Sequence, residues 1–219
     1  MKIVIGSASM AKKRYFEEYF KDYDCEFVLG KDLGIEEPVE YGATSYENAL
    51  IKARHYSQRS GLSAIALDSS ILFLDYPYDD PIQAGSHVKS PQGKGLSPIE
   101  MKDYYQQLAH EHGGRLRSAW IDAYALVGDN FEYCRDFKDV SEDQSFYLCD
   151  ESHEKFIASQ PLDSISKNLA GVFYYDLDDI DEKSLLIKDE HDQSKYQLFV
   201  REVICEMAGL LKLRKRGNI

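Results

Sequence analysis

Residues 45–68 read SYENALIKARHYSQRSGLSAIALD, and the two halves of this stretch follow different patterns. In the first half Tyr46, Ala49, Leu50, Ala53 and Tyr56 line one helical face, while Asn48, Lys52, His55 and Arg59 line the other. The spacing predicts a helix over 45–59, opened by Ser45 as N-cap and stopped by Gly61. In the second half, AIALD at 64–68 is a short apolar run bounded by turn residues, which reads as a buried strand. ILFL at 71–74 reads as another strand, with a break expected at Ser69-Ser70.

Upstream, KIVIG at 2–6 reads as a buried strand and Gly6-Ser7-Ala8-Ser9 as a turn. A helix is expected from about Met10 to Phe20, with Met10, Tyr15, Tyr19 and Phe20 as its stripe, then a strand at 25–29 and a loop over 30–43. Downstream, residues 76–98 are rich in Pro, Gly and Asp, and loops of that length often carry function. Ser97-Pro98 opens a helix to 111. Residues 116–127 and 131–140 flank Gly128-Asp129-Asn130 as a long hairpin, and 143–149 adds a strand. Residues 151–170 are ambiguous. Residues 172–176 read as a short strand leading into an acidic loop from Asp176 to Glu182, and 193–213 as a C-terminal helix. This order predicts an α/β fold: a mixed central sheet with helices on both sides and an antiparallel extension. The chain is expected to form a single domain, 1–219, of two lobes with a substrate cleft between them.

The 219 residues are 43% hydrophobic and 29% charged, ordinary for a globular protein large enough to bury a core. The formal net charge of −12 argues against a nucleic-acid groove, which requires a basic field. The basic residues Lys212, Arg214, Lys215 and Arg216 read as a solvated terminus. The 16 tyrosines suit either an amphipathic surface or flat pocket, or the edges of a mixed sheet. Cys25, Cys134, Cys149 and Cys205 are widely spaced with no C-x-x-C pair, so free thiols in a reducing cytoplasm are expected, without zinc. The apolar run at Met1–Ile5 is too short for a signal peptide, and no run approaches the roughly 20 residues of a membrane helix, so no membrane partner is expected.

Three places carry candidate chemistry. Ser7-Ala8-Ser9-Met10-Ala11-Lys12 lies between a strand and a helix start, where backbone N–H groups and the helix dipole favour an anion and Lys12 or Lys13 adds charge. A plain strand-to-helix turn is the simpler reading. Glu40, in the loop before the next helix, and Asn48 and Lys52 on that helix can hold a metal–phosphate unit, unless they form a solvated face. Asp68 follows a buried apolar strand, where an acid serves as metal ligand or base, or merely caps a turn.

Taken in order, the Ser-rich turn with Lys12, Glu40-Tyr41-Gly42, Glu47-Asn48-Ala49-Leu50-Ile51-Lys52-Ala53 and Asp68-Ser69 resemble the inosine/xanthosine triphosphate pyrophosphatases. These are house-cleaning enzymes that remove non-canonical purine nucleotides. The likeness is strongest over residues 1–75 and continues to Gly171-Val172-Phe173-Tyr174-Tyr175-Asp176. The resemblance implies a magnesium-dependent hydrolase that releases pyrophosphate and a nucleoside monophosphate from a nucleoside triphosphate, and a homodimer. It implies triphosphate contacts at Ser7, Ser9 and Lys12, with Ser9 where the family usually has Asn. It further implies substrate contacts at Asn48 and Ser69, a phosphate-contacting and catalytic Lys52, magnesium at Glu40 and Asp68, and Asp68 also helping to activate water. Phe173, Asp176 and Ser194 fall at positions near the base. The chain departs from the family pattern at Leu67, which stands for an acid, at Ser70, which stands for Gly, and at Ser194-Lys195-Tyr196, which stands for Ser-His-Arg. The phosphate end therefore matches better than the base end, which implies altered base selectivity. A catalytically weak or inactive nucleotide-binding relative, and a hydrolase of another phosphorylated substrate, remain open on the same residues.

Overall fold

The computed structural model describes residues 1–91, 93–138, 140, 144–177 and 194–217. Its strands are β1 (Lys2–Ile5), β2 (Glu26–Leu29), β3 (Ala64–Phe73), β4 (Arg115–Gly128), β5 (Phe131–Asp136), β6 (Phe146–Cys149) and β7 (Ser166–Lys167). Its helices are α1 (Met10–Tyr19), α2 (Ser45–Ser60), α3 (Pro98–Glu111) and α4 (Lys195–Leu210). The chain forms two compact units. The first comprises Met1–Ser69, Asp122–Asp139 and Glu190–Ile219, the second Ser70–Ile121 and Val140–Asp189. Strands β3 and β4 run through both.

In the first unit β2, β1 and β3 are parallel neighbours, with Val4 opposite Ala64 and Ile5 opposite Ile65. β4 lies beside β3 and pairs antiparallel with β5, Ala125 opposite Cys134. Alternation along the strands sorts the side chains. Ala66, Ala123, Ala125 and Val127 face one way and meet Ala49 and Ala53 of α2. Tyr124 faces the other way, where its ring meets Phe16 of α1 and Phe199 of α4. The sheet of this unit is thus mixed and covered by helices on both faces, as expected. In the second unit β3, β4, β6 and β7 are neighbours. Ile71, Phe73, Met101, Tyr105, Leu116, Leu148 and Ile165 form its core.

Several expected boundaries shift for identifiable reasons. The α2 N-cap is Thr44, not Ser45: its Oγ1 accepts the Glu47 N–H at 3.2 Å, and Glu47 Oε2 accepts the Thr44 N–H at 3.2 Å, a reciprocal cap. β3 does not break at Ser69-Ser70, because the Ser69 hydroxyl finds a partner on β4 and the backbone stays extended. Residues 172–176 are not a strand. Phe173 makes a single bridge to Lys167, and Tyr174–Asp176 form a 3-10 turn, which starts an ordered bend where the alternating apolar pattern predicted extension. β5 ends at Asp136, short of 140. The acidic loop beyond Leu177 and the start of the expected C-terminal helix at 193 lie outside the described residues. No helix among the described residues is long and apolar enough to cross a membrane.

In the second unit, burial pushes the Asp163 carboxyl up from 3.8 to about 6. A raised acid pKa in the fold means that the native state binds the proton more tightly than the unfolded chain. Stability is therefore lost as pH climbs from about 3.8 through about 6. Asp163→Asn is expected to gain on the order of 2 kcal/mol at pH 7 and nothing at pH 3.5. Urea unfolding of both forms at the two pH values checks this.

Candidate functional site

The site is built where α1 and α2 approach β3 in the first unit. Ala49 and Ala53 of α2 pack on Ala66, Ala123 and Ala125, and such small residues let helix and sheet come close. The close approach delivers Lys52 to Asp68: Nζ lies 2.5 Å from Oδ1, and both side chains are nearly buried, at 12% and 9% exposure. Glu40 closes the group from the preceding loop, its Oε2 2.9 Å from the same Nζ. Burial alone would lower the Lys52 pKa, but the charges of Asp68 and Glu40 outweigh it and the pKa is raised. Asp68 Oδ1 is thereby satisfied, whereas its buried Oδ2 has no hydrogen-bond partner among the described residues.

Lys12 arrives from the other direction. The β1–β3 ladder ends with Ile5 opposite Ile65, and the chain then turns into α1. Two residues further along β3, the Leu67 carbonyl accepts from Lys12 Nζ at 2.7 Å. Lys12, Glu40, Lys52 and Asp68, distant in sequence, therefore meet around residues 67–68. The turn before α1 is hydrogen-bonded within the protein. Ser9 Oγ caps the helix by accepting the Lys12 N–H at 3.3 Å, and Ser7 Oγ accepts the Ser9 N–H at 3.1 Å. Both hydroxyls accept from the backbone here, and each also carries a hydrogen. The Ala8 N–H already donates to a carboxylate oxygen, Glu37 Oε1, at 3.1 Å.

Other candidates take different places. Asn48 is not on an open polar face: it is 1% exposed, and its Oδ1 accepts the Gly42 N–H at 2.8 Å. It tethers the loop that carries Glu40. Gly42 is required there, since a Cβ would fall 2.6 Å from that same oxygen. Ser69 faces away from Asp68 and donates to Asp122 Oδ1 at 2.5 Å, so its hydrogen is committed within the protein. Ser194 caps α4 by accepting the Gln197 N–H at 3.3 Å. Tyr196, which follows it, donates to Asp122 Oδ2. Phe173 and Asp176 belong to the second unit. There Lys167 Nζ sits 4.3 Å above the Phe173 ring, and His153 Nε2 lies 3.1 Å from Asp176 Oδ1.

Asp122, the acceptor for both Ser69 and Tyr196, was not singled out in the sequence. Its signal is the register of β4: Asp122 shares a face with the fully buried Tyr124 and Leu126, so an acid stands on an inward-facing row.

Because Lys52 neutralises a buried carboxylate, its removal should be costly. Lys52→Met is expected to lose on the order of 3 kcal/mol of stability, and the Lys52→Met/Asp68→Asn double variant markedly less than the sum of the singles. Denaturant unfolding of the four forms measures the coupling.

Residues 3–79 match the family model described as the Ham1 family. A dITP/XTP pyrophosphatase of Halorhodospira halophila is 46% identical over 71 residues, 32% of this chain and 36% of that protein. One from Bordetella parapertussis is 34% identical over 133 residues, 61% of this chain and 62% of that protein. The alignable sequence thus spans about a third of the Halorhodospira relative and under two thirds of the Bordetella one. Among solved structures, a HAM1 protein from Coxiella burnetii superposes with a TM-score of 0.67 at 19% identity, covering 94% of this chain and 99% of that one. The Staphylococcus aureus Ham1 protein gives 0.65 at 18% identity, covering 96% and 100%. Over residues 3–79 the sequence is similar to the Ham1 family, and along nearly the whole length the fold is that of the solved Ham1 proteins.

Proposed function

We propose that this chain hydrolyses nucleoside triphosphates to the monophosphate and pyrophosphate, acting on non-canonical purine nucleotides with altered base selectivity. One observation carries the reading: Lys12, Glu40, Lys52 and Asp68 meet at residues 67–68, and one buried carboxylate oxygen there has no partner among the described residues. The relatives named dITP/XTP pyrophosphatases support it.

The donor set fits magnesium. Among the described residues no three His, Cys, Asp or Glu side chains form a group that holds a metal alone. Magnesium is usually held by one or two carboxylates together with substrate phosphates, and Glu40 and the open Asp68 Oδ2 offer that pair. What magnesium supplies when bound is charge neutralisation on the phosphate oxygens and the leaving pyrophosphate. The chain's own groups do the rest. The Ser7 and Ser9 hydroxyls and the turn before α1 orient the triphosphate. Lys12 and Lys52 stabilise charge developing on its oxygens. The Asp68 carboxylate accepts a hydrogen bond from the attacking water, orients it and takes its proton as it attacks. The water oxygen bonds to the α-phosphorus in line, the bond to the bridging oxygen breaks, and pyrophosphate leaves. Phe173, Asp176 and Ser194 are the candidates for the base end. The reading includes a homodimer in the cytoplasm, checked by light scattering and fractionation.

A second reading, a nucleotide-binding relative with weak or no catalysis, draws on Leu67 in place of an acid and on the tie of Tyr196 to Asp122. Pyrophosphate release from inosine, xanthosine, guanosine and adenosine triphosphates with magnesium decides between them. The proposal expects release that vanishes with chelator and falls at least roughly a hundredfold in Asp68→Asn. No release from any triphosphate, together with a melting-temperature rise on adding one, would favour the binding protein.

A further inference from the structure

Asp122 sits in the middle of β4, and each of its carboxylate oxygens receives a hydroxyl. Ser69 Oγ of β3 donates to Oδ1 at 2.5 Å, and Tyr196 OH of α4 donates to Oδ2. Tyr196 OH shares a hydrogen bond with Tyr124 OH at 3.0 Å, and Tyr124 OH one with Tyr15 OH of α1 at 2.5 Å. A continuous chain of polar contacts thus links β3, β4, α4 and α1 inside the first unit. A carboxylate in such a place is expensive, since burial pushes the Asp122 pKa up. The hydrogen bonds from Ser69 and Tyr196 and the nearby charge of Lys12 draw it back, while Asp68 opposes them. Tyr124 and Leu126 of the same row are held by ring contacts and burial, so packing alone gives no reason for an acid here.

Geometry gives one. Successive residues of a strand face opposite ways, so Asp68 is gripped from the α2 side by Lys52 and Ser69 from the other side by Asp122. A strand segment held on both faces cannot turn about its axis, which fixes Asp68 and the Leu67 carbonyl that holds Lys12. The far end of the polar chain reaches Tyr15, on the helix that carries Lys12. We infer that Asp122 is a positioning residue for the phosphate end of the site: by holding Ser69 and, through the tyrosines, α1, it sets Lys12 and Asp68 relative to each other. Both of its oxygens are engaged by protein hydroxyls, so it acts through these residues and not on substrate. The inference rests on the proposed function for its kinetic readout only.

The full chain, Asp122→Asn, Ser69→Ala and the double variant test it, by pyrophosphate release from inosine triphosphate and by the dissociation constant for inorganic tripolyphosphate with magnesium. Asn keeps the size and one acceptor, so the variant is expected to fold. Its kcat should fall roughly tenfold or more with KM changed less, because misplacement of reacting groups costs rate steeply. Ser69→Ala should fall similarly, and the double variant should be no worse than Asp122→Asn alone, since both cut one link. A folded Asp122→Asn with unchanged kcat, or single effects that multiply in the double variant, overturns the inference, because a purely structural loss shows no such coupling. If Asp122→Asn fails to fold, Ser69→Ala decides, and full activity in it is an overturning result. If the wild type cuts no triphosphate, the proposed function fails instead. Tripolyphosphate affinity then judges the inference: weakening several-fold in both variants supports it, and equal affinity, or no binding by the wild type, refutes it.

Discussion

A single ammonium group, that of Lys52, joins the parts of the first unit that matter for chemistry. It lies between Asp68 on β3 and Glu40 on the loop before α2. Two nearly buried charges lose hydration, and their attraction offsets that loss only when the geometry is close. Close geometry in turn requires the alanines at 49, 53, 66, 123 and 125, because larger side chains would lift α2 away from the sheet. It also requires α2 to begin where it does, which the reciprocal cap of Thr44 and Glu47 fixes. Asn48 then draws Gly42 onto the helix and places Glu40 within reach.

Strand β3 is polar in its middle on both faces, which a buried strand seldom tolerates. Asp68 and Ser69 are each met by a partner of opposite character, and that is why the strand passes through this point without a turn. An unmatched serine pair would favour a turn, since short hydroxyl side chains compete for the backbone. The same matching explains the stretch of α4 near Tyr196. Its hydroxyl is consumed by Asp122, which leaves Ser194 as a helix cap and removes a donor from whatever lies beyond the helix start.

Much of this was legible in the residues. The period of 45–59 and the apolar run before Asp68 predicted the mixed α/β unit, and the resemblance carried by the motifs at Ser7–Lys12, Glu40–Gly42, Glu47–Ala53 and Asp68-Ser69 pointed to Lys12, Glu40, Lys52 and Asp68. Helix and strand periods report burial directly, and burial placed these elements. The Thr44-x-x-Glu47 pattern was also present, one residue upstream of the expected cap. What stayed hidden was pairing between distant residues. Asp122, Tyr196, Tyr124 and Tyr15 carry no local signature, because their hydrogen bonds depend on how β3, β4, α1 and α4 stack. The strand expected at 172–176 shows the converse limit: aromatic alternation suits a strand, yet Phe173 and Tyr175 instead gather around His153.

The charges at the site bear on how an acidic chain can take a polyphosphate. The net charge of −12 is spread over the molecule, and salt screens exposed charges beyond roughly 8 Å, so the local arrangement governs binding. Locally, Lys52 stands between the carboxylates Glu40 and Asp68, while Lys12 donates to the Leu67 carbonyl. The cations are therefore largely spent before any phosphate arrives. A triphosphate alone would meet a site with no surplus of positive charge and a buried Asp68 oxygen that has no partner among the described residues. Under the proposed function, a divalent cation arriving with the triphosphate would take Glu40 and Asp68 as ligands and release Lys52 to face phosphate oxygens. On this balance the proposed function expects metal and nucleotide to bind together, and the serines of the turn before α1, being neutral, have no part in that balance.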